Sequence, residues 1–147
     1  WKPYHEALGN AINNAVSTHG FCIHLNCHSM PAVATSHATL FPGLAHADFV
    51  IGDRDGTTAS PALSERVVQH LRGLGFSVSH NHPYKGVEIV KRHGNPAEHR
   101  HSIQVEINRG LYMDEVSLEI KPGFSNLQAS LHSLVEMLTA IGKHDLE

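Results

Sequence analysis

The sequence predicts an α/β fold, a three-layer α/β/α sandwich with a mainly parallel sheet, in one domain over residues 1–147. Three observations predict it. Segments with apolar residues at helical spacing alternate along the chain with short segments of strand period. A chain of 147 residues fits one domain and can bury a real core. The third is the stretch 101–108, where Ile103, Val105 and Ile107 alternate with Gln104, Glu106 and Asn108. That is a strand with one apolar face and one face carrying a carboxylate between two amides. Such a polar row is either the wet side of an edge strand or the floor of a site.

The elements follow in order. Residues 3–18 read as a helix: Pro3 suits a first turn, Tyr4, Leu8, Ile12 and Val16 form a stripe, and Gly20 ends it. Residues 21–27 read as a strand with His24, Asn26 and His28 on one face and Phe21, Ile23, Leu25 and Cys27 on the other. Ser29 to Ala47 reads as a long loop, a length usually reserved for function or disorder. Residues 47–52 are a short strand followed by a polar turn in which Asp53 and Arg54 are expected to pair. Ser60-Pro61 is an N-cap with proline behind it, and Leu63, Val67, Leu71 and Leu74 mark the helix that follows. Residues 76–79 read as a strand and 81–94 as a polar, basic loop. After the 101–108 strand, Ser125 to Gln128 has the spacing of a capping box that would start a last helix along Leu127, Leu131, Leu134, Leu138 and Ile141.

Composition bounds the function. The net charge of −3 gives no electrostatic argument for nucleic acid or an anionic membrane, and no apolar run approaches a membrane span. No secretory signal is expected, and no glycine-rich phosphate loop opens a helix. Cys22 and Cys27 are five apart on one strand and point to opposite faces, so free buried thiols and a reducing, cytoplasmic setting are expected. There are 14 histidines, an unusual load of a residue that binds metals and titrates near neutrality. The chain begins at Trp1 and runs almost directly into a helical pattern, so a fragment or processed product is expected.

Two residues could carry chemistry. His28 follows an apolar strand, where sites of open α/β sheets gather, and a neutral imidazole there could bind a metal; it could equally cap the strand. Glu106, if its face lines a cleft, would have its pKa raised toward that of a useful general base; on a wet face it would be an ordinary carboxylate. Lys91, Arg92 and Arg109 flank it and suggest an acidic substrate, although Glu88 and Glu98 could balance them as surface charge. Tyr84 and Tyr112 could hydrogen-bond a ligand or simply pack. Cys27 and Ser29 adjoin His28 but lack the geometry of a nucleophile and its base.

Several stretches together resemble the N-formylglutamate amidohydrolase family: Trp1-Lys-Pro-Tyr-His5, Cys27-His-Ser-Met-Pro31, Asp48 to Thr57 with Ser60-Pro-Ala-Leu63, Asn81-His-Pro-Tyr-Lys-Gly86, Lys91-Arg-His-Gly94, and His101 to Arg109 with Leu111 to Glu115. The resemblance spans essentially the whole chain but only the second half of the family's domain. It implies a zinc carboxypeptidase-like fold with a mixed sheet, and hydrolysis of N-formylglutamate to formate and glutamate, a late step of histidine breakdown. It implies zinc as cofactor with His28 as one ligand, Glu106 as general base, and Asn81, Tyr84, Lys91, Arg92 and Arg109 holding the substrate. The family has aspartate where Asn26 stands, and a first arginine and a tyrosine where Lys91 and His93 stand. Its remaining zinc ligands are expected in the absent half, whose loss would leave an open sheet edge for pairing with a second chain. The alternatives are a truncated, non-catalytic relative that binds an acidic small molecule or metal, and a hydrolase of another N-acyl amino acid.

Overall fold

The structure, a computed structural model, describes residues 1–36 and 41–146. The elements are α1 (Lys2–His19), β1 (Cys22–Met30), β2 (Phe49–Gly52), α2 (Pro61–Gly73), β3 (Val78–His80), α3 (Glu88–His93), β4 (Arg100–Asn108) and α4 (Phe124–Thr139), with short 3₁₀ turns between them. The four strands form one sheet in the order β1-β4-β2-β3. β1 runs parallel to β4 and β2 parallel to β3, while β2 and β4 are antiparallel. The sheet is therefore mixed: two parallel pairs joined at one antiparallel seam.

The layers follow from the alternation along β4. Ile103 and Val105 face a core with Phe49 and Ile51 of β2, Leu63, Val67 and Leu71 of α2, and Leu127, Leu134 and Leu138 of α4. The periodic leucines and valines of α2 and α4 are what bury that face. On the other side α1 packs on β1 and α3 on β4. His5 of α1 and His93 of α3 join these two helices, Nδ1 to Nε2 at 2.9 Å.

Local chemistry sets most boundaries. Gly20 closes α1 at φ 80°, where only glycine is free of strain, and its N–H reaches the Val16 carbonyl. Ser60 caps α2 by accepting from the Leu63 N–H. Four expectations are corrected. β1 continues past Cys27 to Met30, because it pairs residue for residue with the nine residues of β4. Cys27 is exposed, since β1 is an edge strand whose apolar face is only partly covered; both thiols are free. The basic 81–94 segment contains a helix, α3, too short to show a periodic stripe. The capping box at Ser125 does not form: α4 begins at Phe124 behind Gly123, with no side-chain cap. Among the described residues no helix is long and apolar enough to cross a membrane.

One contact joins the fold to the site. Gly52, at the end of β2, pairs with Gln104 of β4 and shares its face. A Cβ at Gly52 would lie 2.7 Å from the Gly86 nitrogen and from the Lys85 carbonyl carbon. The backbone of the segment before α3 thus lies directly on the strand, and only glycine permits that approach.

Candidate active site

β4 is an interior strand, and its polar row is buried: Gln104 is 1% and Glu106 7% exposed. The row is therefore not a wet surface, which leaves the site-floor reading open to the chemistry of its neighbours. The parallel register sets Asn26 beside Gln104 and His28 beside Glu106. Their side chains form a continuous polar ladder. The Gln104 amide donates to Glu106 Oε1 at 2.8 Å, and Gln104 Oε1 accepts from the Val87 N–H at 3.0 Å. His28 Nδ1 stands 3.8 Å from Glu106 Oε1, while the Asn26 amide nitrogen is 3.0 Å from His28 Nε2. With that amide donating to Nε2, the ring proton sits on Nδ1 and points toward Glu106. His24, further back on the same face, is held by the Ser102 hydroxyl at 2.8 Å, the packed role its position suggests.

Burial pushes the Glu106 carboxyl above the usual carboxylate range; His28, the Gln104 bond and His46 moderate the rise. Burial and the neighbouring Glu106 raise the Tyr84 phenol, and Arg109 works the other way. Tyr84 therefore lies within electrostatic reach of both Glu106 and Arg109. Arg109 leaves β4 in a turn held by the Asn108 side chain, which accepts from the Gly110 N–H at 2.9 Å. Its Nε lies 3.2 Å from Glu115 Oε1. Beside this group runs a cleft of about 440 Å³ whose wall includes Phe41, His82, Pro83, Tyr84 and Val87.

His46 is a member of this group that sequence reasoning missed. Its Nδ1 donates to the Pro31 carbonyl at 2.7 Å, its ring lies 5.4 Å from that of Tyr84, and its carbonyl faces the Asn108 amide at 3.4 Å. Its Nε2 is buried without a hydrogen-bond partner among the described residues. The signal for it in the sequence was a lone histidine among alanines just before a strand, too weak to single out.

Three expected residues are engaged or placed differently, although Asn81 also lines the cleft beside Tyr84. The Asn81 side chain is engaged with Asp53, donating to Oδ1 at 2.7 Å and accepting from the Asp53 N–H at 3.1 Å. Arg92 stacks over the Trp1 ring at 4.8 Å. Lys91 is exposed on α3. The expected Asp53–Arg54 pair is replaced as well: Asp53 meets His80 at 3.0 Å, and Arg54 donates to the Gly86 carbonyl at 3.0 Å.

Asp53 is 1% exposed and sits at the far end of β2 from the site. Burial alone would raise its pKa, but the Ser64, Asn81 and Gly56 donors and His80 together hold it below its ordinary 3.8. A carboxyl with a depressed folded pKa stabilises the fold above its unfolded value, and that contribution fades as pH falls through the folded one. We expect denaturant midpoints of the wild type to drop below about pH 4 more steeply than those of Asp53→Asn. Parallel pH profiles of the two proteins would refute this role for Asp53.

The donor set for a metal is short. Among the described residues no three histidine, cysteine, aspartate or glutamate side chains come together. His28 Nε2 is engaged by the Asn26 amide, and Nδ1 stands 3.8 Å from Glu106 Oε1, beyond hydrogen-bond distance. A catalytic zinc takes about three protein ligands. The described residues do not by themselves fit that requirement.

Comparison with known proteins agrees with the motifs. A profile of the N-formylglutamate amidohydrolase family matches residues 1–113. An N-formylglutamate deformylase of Pseudomonas putida is 32% identical over 121 residues, 78% of this chain and 42% of that protein. One from Pseudomonas aeruginosa is 31% identical over 117 residues, with the same coverage of 78% and 42%. The crystal structure of an N-formylglutamate amidohydrolase from Ralstonia eutropha superposes with a TM-score of 0.85 at 44% identity, over 93% of this chain and 49% of that one. The chain thus spans less than half the length of these relatives.

Proposed function

The chain belongs to the N-formylglutamate amidohydrolase family, and from that premise we propose that it takes part in hydrolysing the formyl amide of N-formylglutamate to formate and glutamate. The observation that supports this most is the buried Glu106, raised in pKa, on an interior strand beside His28 with Arg109 at its rim. In this reading Glu106 is the general base. It takes a proton from the water whose oxygen attacks the formyl carbon, and returns it to the departing amine as the C–N bond breaks. Gln104 holds Oε1 of that carboxylate in place, which leaves Oε2 for the water. Arg109 binds a substrate carboxylate, and Tyr84 offers its hydroxyl to the bound amide. Zinc enters the proposal only through His28 as one ligand, and no step here is routed through it.

A second reading is favoured by the cleft of about 440 Å³ beside Tyr84, which exceeds what a formyl group fills. It keeps the residues and changes the substrate to a larger N-acyl amino acid. A third, non-catalytic reading is favoured by the short donor set. Formate release from N-formylglutamate and acetate release from N-acetylglutamate, assayed with the purified protein, separate the three. Formate alone is the expected result. Acetate in preference moves the proposal to the second reading, and binding without either product moves it to the third.

A further inference from the structure

We propose that His5 of α1 and His93 of α3 form a pH-sensitive clasp, which holds α1 over the polar face of the sheet at neutral pH and lets it go on acidification. The pair is a direct hydrogen bond, His5 Nδ1 to His93 Nε2 at 2.9 Å, between rings that stack with centroids 5.2 Å apart. Two neutral imidazoles can make that bond, because each has one N–H and one lone pair. One proton added to the pair leaves it intact, since the ring that stays neutral still accepts. A second proton ends it: both facing nitrogens then carry hydrogen, and two like charges meet.

α1 has little else to hold it. Its buried side chains are His5 and Ile12, whereas α2 buries Leu63, Val67, Val68 and Leu71. The Trp1 ring adds one contact to α3, with the Arg92 guanidinium 4.8 Å from its centroid. That contact does not titrate in this range, since arginine stays charged.

The surroundings of the pair oppose a further proton. Burial, then His5 and Arg92, hold the His93 pKa below its ordinary 6.5. From β1, His24 faces the pair; burial and then the His93 charge lower its pKa too. On β4 the neighbour of His24 is the uncharged Ser102. Lys2 and Glu6 of α1 pair with each other at 3.7 Å, and Glu88 and Lys91 of α3 are exposed. A base whose folded pKa lies below its unfolded value is protonated more readily once its helix is loose. The clasp therefore holds fully above about pH 6.5 and weakens as pH falls from there through the folded pKa. The Asp53 effect falls below about pH 4, outside this window. His24 and Ser102 begin the row that runs through Asn26 and Gln104 to His28 and Glu106. Release of α1 thus admits water to the back of that row.

The test is amide hydrogen exchange of the full chain at about pH 7.5 and about pH 5.5, corrected for intrinsic exchange rates. Amides of α1 are expected to lose protection by about tenfold between the two, while those of α2 do not. His93→Gln should remove most of that step, because its amide oxygen accepts from His5 in either charge state. His93→Arg, a permanent cation with donors only, should leave α1 as open at about pH 7.5 as the wild type is at about pH 5.5. Unchanged protection of α1 on acidification, an equal loss in α2, or the same step in His93→Gln would each overturn the clasp. So would a His93→Arg protein whose α1 is protected like the wild type. If His93→Arg does not fold, the His93→Gln profile decides alone, with α2 protection as the check on its fold.

Discussion

Glu106→Gln is expected to lower formate release by a factor of roughly 10² to 10⁴ while leaving the fold and ligand binding in place. The substitution changes one atom. The new amide keeps an oxygen for the Gln104 donor, which now lies 2.8 Å from Oε1, so the ladder along β4 stays satisfied. What it loses is the ability to take a proton. The carboxylate is also a burden to the fold: burial disfavours its charged form, so its neutral replacement should leave thermal stability unchanged or slightly higher. Loss of turnover with retained or raised stability is the signature of a group kept for chemistry. Near-normal formate release in this variant would remove Glu106 from the mechanism. A large loss of stability would make it a structural residue instead.

Gly52→Val is expected to damage both stability and activity. Its first side-chain carbon would meet backbone atoms of Lys85 and Gly86 at 2.7 Å, and backbone cannot rotate aside as a flexible side chain can. Overpacking of this kind costs about 1–3 kcal/mol, which in a domain of this size lowers the melting temperature by roughly 2–12 °C. The displaced segment carries Tyr84 and the Val87 N–H that holds Gln104, so binding should weaken as well. Gly73→Ala is the control. Nothing lies within 4 Å of a Cβ there, and the residue ends a helix, so its stability should hold or rise. If Gly52→Val melts and binds like the wild type, the 85–87 backbone does not depend on that glycine.

The parts of this fold that could be read from sequence are those in which a local rule and the tertiary structure agree. The alternation from Ile103 to Asn108 named both the strand and its two faces, because one face meets α2 and α4 and the other meets polar partners. Ser60-Pro61 named the start of α2 because the cap needs only residues three apart. Where long-range contacts decide, the sequence was silent. α3 has six residues, fewer than a periodic stripe requires, and it is secured by Val90 in the core and by contact with β4. The Ser125 capping box lost to Gly123, whose position is set by packing against the Leu111 carbonyl. The site divided in the same way. Glu106 and His28 were visible because each belongs to or adjoins a patterned stretch of strand. Asn81 and Arg92 carry the right chemistry for a substrate, yet folding commits them to Asp53 and Trp1. His46 enters the site from a segment with no pattern at all.

The pairing of β1 with β4 also has a consequence for how the site comes into being. Asn26 and Gln104, like His28 and Glu106, are 78 residues apart in the chain yet side by side in the sheet. β2, α2, β3 and α3 all lie in the intervening loop. Closing a loop of that length loses chain entropy before any contact repays it, and parallel pairing over such a distance is slow to form. By that argument the His28–Glu106 contact belongs to the last strands to zip. The juxtaposition of His28 with Glu106 should therefore appear late in refolding, after the α2–β2–β3 unit has formed.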